Sequence, residues 1–184
     1  CRFYSRGHDF PTILFFHGNG EIVSDYDGFA RFYNAAGANL AVAEYRGYGD
    51  SSGTPTFTVL LSDAHVIFEA LKKELAGRKY SLGLYIMGRS LGSVSALELA
   101  AARTGEFKGL IIESGFVCAS RIARRLGFSH EILEPLEEEC RQKIQSIRAP
   151  ALIIHGEEDN LVPLTEAEAI YSLLKTDEKK LAII

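Results

Sequence analysis

The chain has 184 residues, room for one ordinary domain with a sizeable core and not for two. Apolar residues make up 47% and charged residues 24%, the balance of a soluble globular protein. A net charge of −4 argues against a nucleic-acid partner, and no apolar run approaches the roughly 20 residues that span a bilayer, so no integral membrane segment is expected. The opening Cys1-Arg2-Phe3-Tyr4-Ser5 does not read as a signal peptide. Cys1, Cys118 and Cys140 are odd in number, with no Cys-x-x-Cys and no Cys/His pair at metal-ligand spacing. They read as reduced thiols of a reducing, cytoplasmic compartment, although a Cys118–Cys140 pairing stays open. No metal site is expected. The start on Cys1 and the apolar, strand-like finish at Ile184 read as a piece of a longer protein, truncated at both ends.

Strand-type runs alternate with helical stretches along the chain. Thr12–Phe16 reads as a buried strand, stopped by His17-Gly18-Asn19-Gly20. Residues 26–36 predict a helix that ends at Gly37, and residues 40–45 the next strand. A glycine-rich stretch follows, Arg46-Gly47-Tyr48-Gly49-Asp50-Ser51-Ser52-Gly53. Residues 58–75 predict a long helix, because Val59, Leu60, Ala64, Ile67, Phe68 and Leu71 recur at helical spacing. The apolar run 82–87 predicts a strand that passes through Gly88-Arg89-Ser90-Leu91-Gly92 into a helix over 93–102. Residues 110–112 and 151–154 read as strands, and residues 165–174 as a helix. Thr165 is its expected N-cap, with Glu168 completing a capping-box pattern. Residues 181–184 would be the last strand.

The one irregular insertion is 116–148, about 30 residues, enough for two or three short helices but not for a domain. It reads as a small lid on a single domain spanning 1–184. Its Arg121, Arg124 and Arg125, near Phe116 and Phe128, read as a solvated helix face ahead of a contact for an anionic head group or a membrane surface. There is no internal repeat.

Most strand runs are apolar throughout and alternate with helices. This predicts the α/β class: a mostly parallel, doubly wound sheet with helices on both faces. Reactive groups in such sheets gather at the carboxyl ends of the strands. His17 to Gly20, Arg46 to Gly53, Ser90, Glu113-Ser114 and His155 to Asp159 all fall at such ends.

A strand ending in Gly-x-Ser-x-Gly and entering a helix is the nucleophile-elbow arrangement. It makes Ser90 the candidate nucleophile, and it makes the N–H of Leu91, the residue after it, a candidate oxyanion donor. An acid should follow the serine in the chain, and a histidine should follow the acid. Asp159, after the strand 151–154, meets the first condition, with Glu157, Glu158 and Glu113 as rivals. None of the histidines His8, His17, His65, His130 and His155 comes after Asp159.

Four motifs in this order resemble the α/β-hydrolase superfamily: His17-Gly18-Asn19-Gly20, Tyr45-Arg46-Gly47-Tyr48-Gly49-Asp50-Ser51, Gly88-Arg89-Ser90-Leu91-Gly92, and His155-Gly156-Glu157-Glu158-Asp159-Asn160-Leu161-Val162-Pro163. The chain looks most like its compact, small-lidded serine hydrolases, the Bem46-like proteins and the α/β-hydrolase-domain-containing proteins 13 and 17. The resemblance implies a second oxyanion donor at Asn19, an acid at Asp159 in the Asp-x-x-Val-Pro loop, and a histidine just beyond Ile184. It implies pocket-bracing roles for Arg46 and Tyr48, structural roles for His17 and His155, and substrate contacts at Gly18 and Phe116. The expected activity is cleavage of a small-molecule carboxylic ester or thioester through an acyl-enzyme, with no cofactor. A serine peptidase or amidase, and an inactive module that binds a ligand or partner, are the alternatives.

Overall fold

The computed structural model describes residues 1–80, 82–120 and 130–184, with side chains from 133 onward in the last stretch. The strands are β1 Arg2–Tyr4, β2 Thr12–Phe16, β3 Asn39–Ala43, β4 Leu84–Arg89, β5 Gly109–Glu113, β6 Ala151–His155 and β7 Lys179–Ile183. The helices are α1 Ala30–Ala35, α2 Phe57–Gly77, α3 Gly92–Ala102, α4 His130–Ser146 and α5 Leu164–Leu173, with a 3₁₀ turn at Val23–Tyr26.

The strands form one seven-stranded sheet in the order β1-β3-β2-β4-β5-β6-β7. Every pairing is parallel except β1 with β3. Successive side chains of a strand point to opposite faces, and here both faces are covered. Phe15, Leu40, Val42 and Met87 pack with Tyr26 and Ala30 on the α1 side. Leu14, Phe16, Ile86, Leu110, Ile112 and Ile153 form the larger cluster, joined by Leu60, Ala64 and Phe68 of α2, Ala96 and Leu99 of α3, Ile144 of α4, and Ala167 and Ile170 of α5. The doubly wound parallel sheet read from the sequence is therefore the architecture.

Four details differ from the sequence reading. The helix expected over 26–36 is divided into the 3₁₀ turn and α1, with turn residues around Gly28 between them. Glycine costs about 1 kcal/mol in a helix interior relative to alanine. The antiparallel strand β1 was not foreseen. Thr165 sits inside the first turn of α5, while Pro163, extended at φ −62° and ψ 150°, takes the N-cap position without a side-chain bond. In the insertion, α4 is a helix of 17 residues, longer than the short helices expected there, and Ser120 ahead of it is also helical; residues 121–129 lie outside the described residues. The Arg121, Arg124 and Arg125 cluster, with Phe128, lies outside the described residues.

Candidate functional site

Ser90 stands between β4 and α3 with φ +49°, in the left-handed region that a residue bearing a Cβ seldom enters. Such a conformation costs of order 1–3 kcal/mol and persists only where its surroundings enforce it. Here the Ser90 N–H donates to the Glu113 carbonyl at 2.9 Å. The Ser90 carbonyl accepts from the Ser93 N–H at 3.0 Å and from Ser93 Oγ at 2.6 Å. Ser93 Oγ in turn accepts the Phe116 N–H at 3.4 Å, tying the turn to the start of the insertion.

The two glycines of the motif are set by close approach. A Cβ on Gly92 would lie 1.9 Å from the Phe16 carbonyl oxygen, and one on Gly88 would lie 2.4 Å from that of Gly92. Without side chains at both positions α3 can pack against β2 and β4, and its N-terminus then stands directly behind Ser90.

An open cleft of about 310 Å³ faces Ser90, lined by Asn19, Tyr48, Pro55, Thr56, Phe57, Leu60, Leu91 and Phe116. Asn19 comes from the loop after β2, and its Oδ1 accepts the Tyr48 hydroxyl at 2.6 Å, so two of the loops read from the sequence are bonded side to side. Arg46 does not reach this cleft wall. It forms a two-pronged ion pair with Asp63 of α2, at 2.6 Å on each oxygen. Gly18 does not line the cleft either, and its N–H is taken by Glu21 Oε2 at 2.9 Å.

Asp159 lies on the loop after β6, with β5 between that strand and β4. Its Oδ1 accepts the Leu161 and Val162 N–H groups, each at 2.9 Å. Partial burial works against its charge, but these N–H groups, the Ser114 hydroxyl and nearby His155 hold its carboxyl below the ordinary value. Ser114 is a second non-glycine residue in the left-handed region, at φ +46°, and its N–H donates to the Ile154 carbonyl at 2.9 Å. It therefore links the end of β5 to the Asp159 loop.

Glu113 is engaged elsewhere. It aligns with Arg89 in the β4–β5 register, and Arg89 lies 3.8 Å from Glu113 Oε1 and 3.2 Å from Glu21 Oε1. Burial raises the Glu113 carboxyl; Arg89 opposes the shift and Glu21 adds to it. Glu21 also accepts the Tyr26 hydroxyl at 2.5 Å.

The buried histidines fasten loops. His17 places Nδ1 2.9 Å from the Gly18 carbonyl and Nε2 2.9 Å from Glu44 Oε1, while Glu44 Oε2 accepts the Val23 N–H. His155 Nε2 lies 2.7 Å from the Val162 carbonyl, closing the loop that carries Asp159. His65 joins α2 to Glu98 and Arg103. His8 stacks on Tyr80.

Of the residues singled out in the sequence, Ser90, Leu91, Asn19 and Phe116 come together on one cleft. Asp159 lies apart from it, on the neighbouring loop. The sequence reading placed Ser114 at a strand end without giving it a role, and it missed Ser93 and Phe57. Ser93 bonds the Ser90 carbonyl within the turn itself and meets the Phe116 N–H across the fold, while the Ser114 N–H finds Ile154 only once β5 and β6 align. Phe57, exposed at the first position of α2, did carry a signal: a large apolar side chain standing before the helix's apolar stripe begins. Among the described residues, no group of three or more His, Cys, Asp or Glu side chains is placed to hold a metal ion. No described helix is long and apolar enough to cross a membrane.

Comparison with known proteins fits this geometry. Protein bem46 of Schizosaccharomyces pombe is 29% identical over 176 residues, covering 92% of this chain and 58% of its own length. Human alpha/beta hydrolase domain-containing protein 17B is 30% identical over 167 residues, covering 87% of this chain and 54% of its own. The chain thus spans a little over half the length of these curated relatives. Among solved structures, Est1E from Butyrivibrio proteoclasticus with ferulic acid bound superposes with a TM-score of 0.77 at 22% identity, covering 97% of this chain and 80% of that one. The Paleococcus ferrophilus monoacylglycerol lipase gives 0.75 at 18%, covering 100% and 87%. At these identities the two structures speak for the fold. The family described as Hydrolase_4, serine aminopeptidase S33, matches residues 8–136, and with the elbow at Ser90 inside that span, the chain belongs to this family of α/β hydrolases.

Proposed function

We propose that the protein is a serine hydrolase that cleaves a small-molecule carboxylic ester or thioester through an acyl-enzyme. The observation that carries this reading is Ser90, held at φ +49° at the head of α3 on the wall of an open cleft. In this reading Ser90 Oγ attacks the acyl carbon and gives its proton to a histidine. The N–H groups of Asn19 and Leu91 take the developing oxyanion; losing one such donor typically costs about 2.7–4 kcal/mol of barrier. The tetrahedral adduct collapses, and the leaving alcohol or thiol takes the proton from the imidazolium. Water, deprotonated by the same histidine, then releases the acid and frees Ser90.

Asp159 orients that histidine and stabilises its charged form. The base this mechanism requires follows Ile184. The end of β7 supports that position: the Ile184 N–H donates to the His155 carbonyl at 2.9 Å, and the Ile184 carbonyl accepts the Glu157 N–H at 2.8 Å. A histidine just after Ile184 would emerge beside the Asp159 loop. The apolar wall of Phe57, Leu60, Leu91 and Phe116 favours a short-to-medium acyl group, with the 116–148 insertion as the lid that sets its length. Amide cleavage is the second reading, favoured by the peptidase description of the family.

The test is fluorophosphonate labelling of the protein extended past Ile184, beside its Ser90→Ala variant, followed by an acyl-length series of esters and thioesters. Labelling should depend on Ser90, and the alanine variant should lose on the order of 10⁴-fold or more in kcat. A folded protein that carries the histidine and takes no label would sink the reading and leave a binding module.

A further inference from the structure

Two cysteines that the serine chemistry does not use face each other. Cys118 lies just past β5, at the root of the insertion, and Cys140 lies on α4. Cys140 Sγ donates to Cys118 Sγ at 2.6 Å, across 22 residues of chain, and both are free thiols. Cys1, the remaining thiol, is exposed beside β1.

Cys118 is buried and Cys140 half-buried, but both border clefts. Cys118 and Cys140 share an apolar groove of about 140 Å³ with Phe57, Leu97, Leu136 and Ile144. Cys118 also lines a more polar cleft of about 520 Å³ with Ser120, Arg141 and Thr165. The two sulfurs are unlike: the hydrogen bond from Cys140 holds the Cys118 thiol below the ordinary range against the effect of burial, while that bond and burial push Cys140 up. The thiolate is the nucleophile in thiol–disulfide exchange, so Cys118 is the attacking sulfur and Cys140 the resolving one.

We propose that Cys118 and Cys140 form a reversible disulfide, a modification site that staples the entry of the insertion to α4. The oxidant is a low-molecular-weight disulfide such as oxidised glutathione. The Cys118 thiolate attacks one of its sulfurs, forming a mixed disulfide and releasing one glutathione thiolate. The Cys140 thiol loses its proton and attacks the Cys118 sulfur, forming the internal bond and releasing the second glutathione. Two protein thiols are oxidised, and one glutathione disulfide is reduced to two thiols. Nothing in this step requires Ser90 to be a nucleophile, so its failure would leave the hydrolase reading standing.

The experiment equilibrates the unmodified protein in buffers running from reduced to oxidised glutathione, unfolds it, alkylates the remaining thiols and maps the peptides. Oxidation should remove Cys118 and Cys140 together from the alkylatable set, join their peptides, and reverse with dithiothreitol. Closing this loop should raise Tm by about 5–10 °C. The shift should persist in Cys1→Ser and vanish in Cys118→Ser and Cys140→Ser. The proposal is overturned if both thiols stay alkylatable at the most oxidising poise. It is equally overturned if Cys118 stops at the glutathione adduct or if the mapped bonds run to Cys1. Should the serine variants not fold, the peptide map of the unmodified protein decides alone.

Discussion

At the scale of the residue, the site combines strain with charge held away from its ordinary balance. Ser90 occupies a left-handed conformation that only glycine adopts without cost. Ser90→Gly should therefore stabilise the fold by about 1 kcal/mol, read as a Tm rise of about 2–4 °C, while removing the hydroxyl that the proposed chemistry needs. A fall in Tm would mean that the hydroxyl itself supports the turn. Asp159 has its carboxyl lowered in the folded state. A carboxylate of this kind contributes stability that is fully present above its unfolded value, about 3.9, and that fades as pH falls through the lower folded value. Asp159→Asn should therefore destabilise the protein at neutral pH, and the difference from the unmodified chain should shrink in acid. Denaturant melts at pH 7 and near pH 3 check the sign.

At the scale of the element, two loops and a helix start build the cleft. The Tyr48 hydroxyl on Asn19 is the one side-chain bond between the two loops that faces this cleft among the described residues. Tyr48→Phe keeps the ring and loses the bond. If Asn19 supplies an oxyanion donor, the variant should lower kcat about 10-fold with little change in KM, and kinetics on a soluble ester separate the two. An unchanged kcat would place the bond in loop stability alone. The same elements show what the sequence could tell. The helix α2 was legible because its apolar residues keep one stripe from Leu60 to Leu75, β2 as an apolar run between Pro11 and His17-Gly18, and β4 as one between Gly83 and Gly88. The short β1 carries no such pattern, because Arg2–Tyr4 gains its place by pairing antiparallel with Leu40–Val42 and by bonding Asp27, contacts made only in the folded chain. Thr165 looked like a cap because the spacing to Glu168 fits one, yet Pro163, with its fixed φ, already set the turn. Ser90 could be read from five consecutive residues. The roles of Ser93 and Ser114 could not, because Phe116 reaches Ser93 and Ile154 reaches Ser114 only in the folded chain.

At the scale of the whole molecule, the large core cluster joins the helices to the central strands. Ile153 on β6 is fully buried in it, two residues before the strand ends at His155 and the loop to Asp159 begins. Ile153→Ala should cost about 2–5 kcal/mol through lost burial and the cavity left behind, and a thermal melt should show it as a large fall in Tm. A loss under 1 kcal/mol would mean that the core closes over the gap. At the sheet's carboxyl rim, the Ser90 N–H bonds to the end of β5, the Ser114 N–H to β6, and the Ile184 N–H to His155 at the end of β6. Each strand end is thus pinned to the next by the same repeat that spaces the sheet. Alignment along this rim is set like the holes of a drilled jig: error between Ser90 and Asp159 grows with shear of three stiff strands and not with the slack of the loops between them. A new loop grafted between those strands would inherit that tolerance without having to build it.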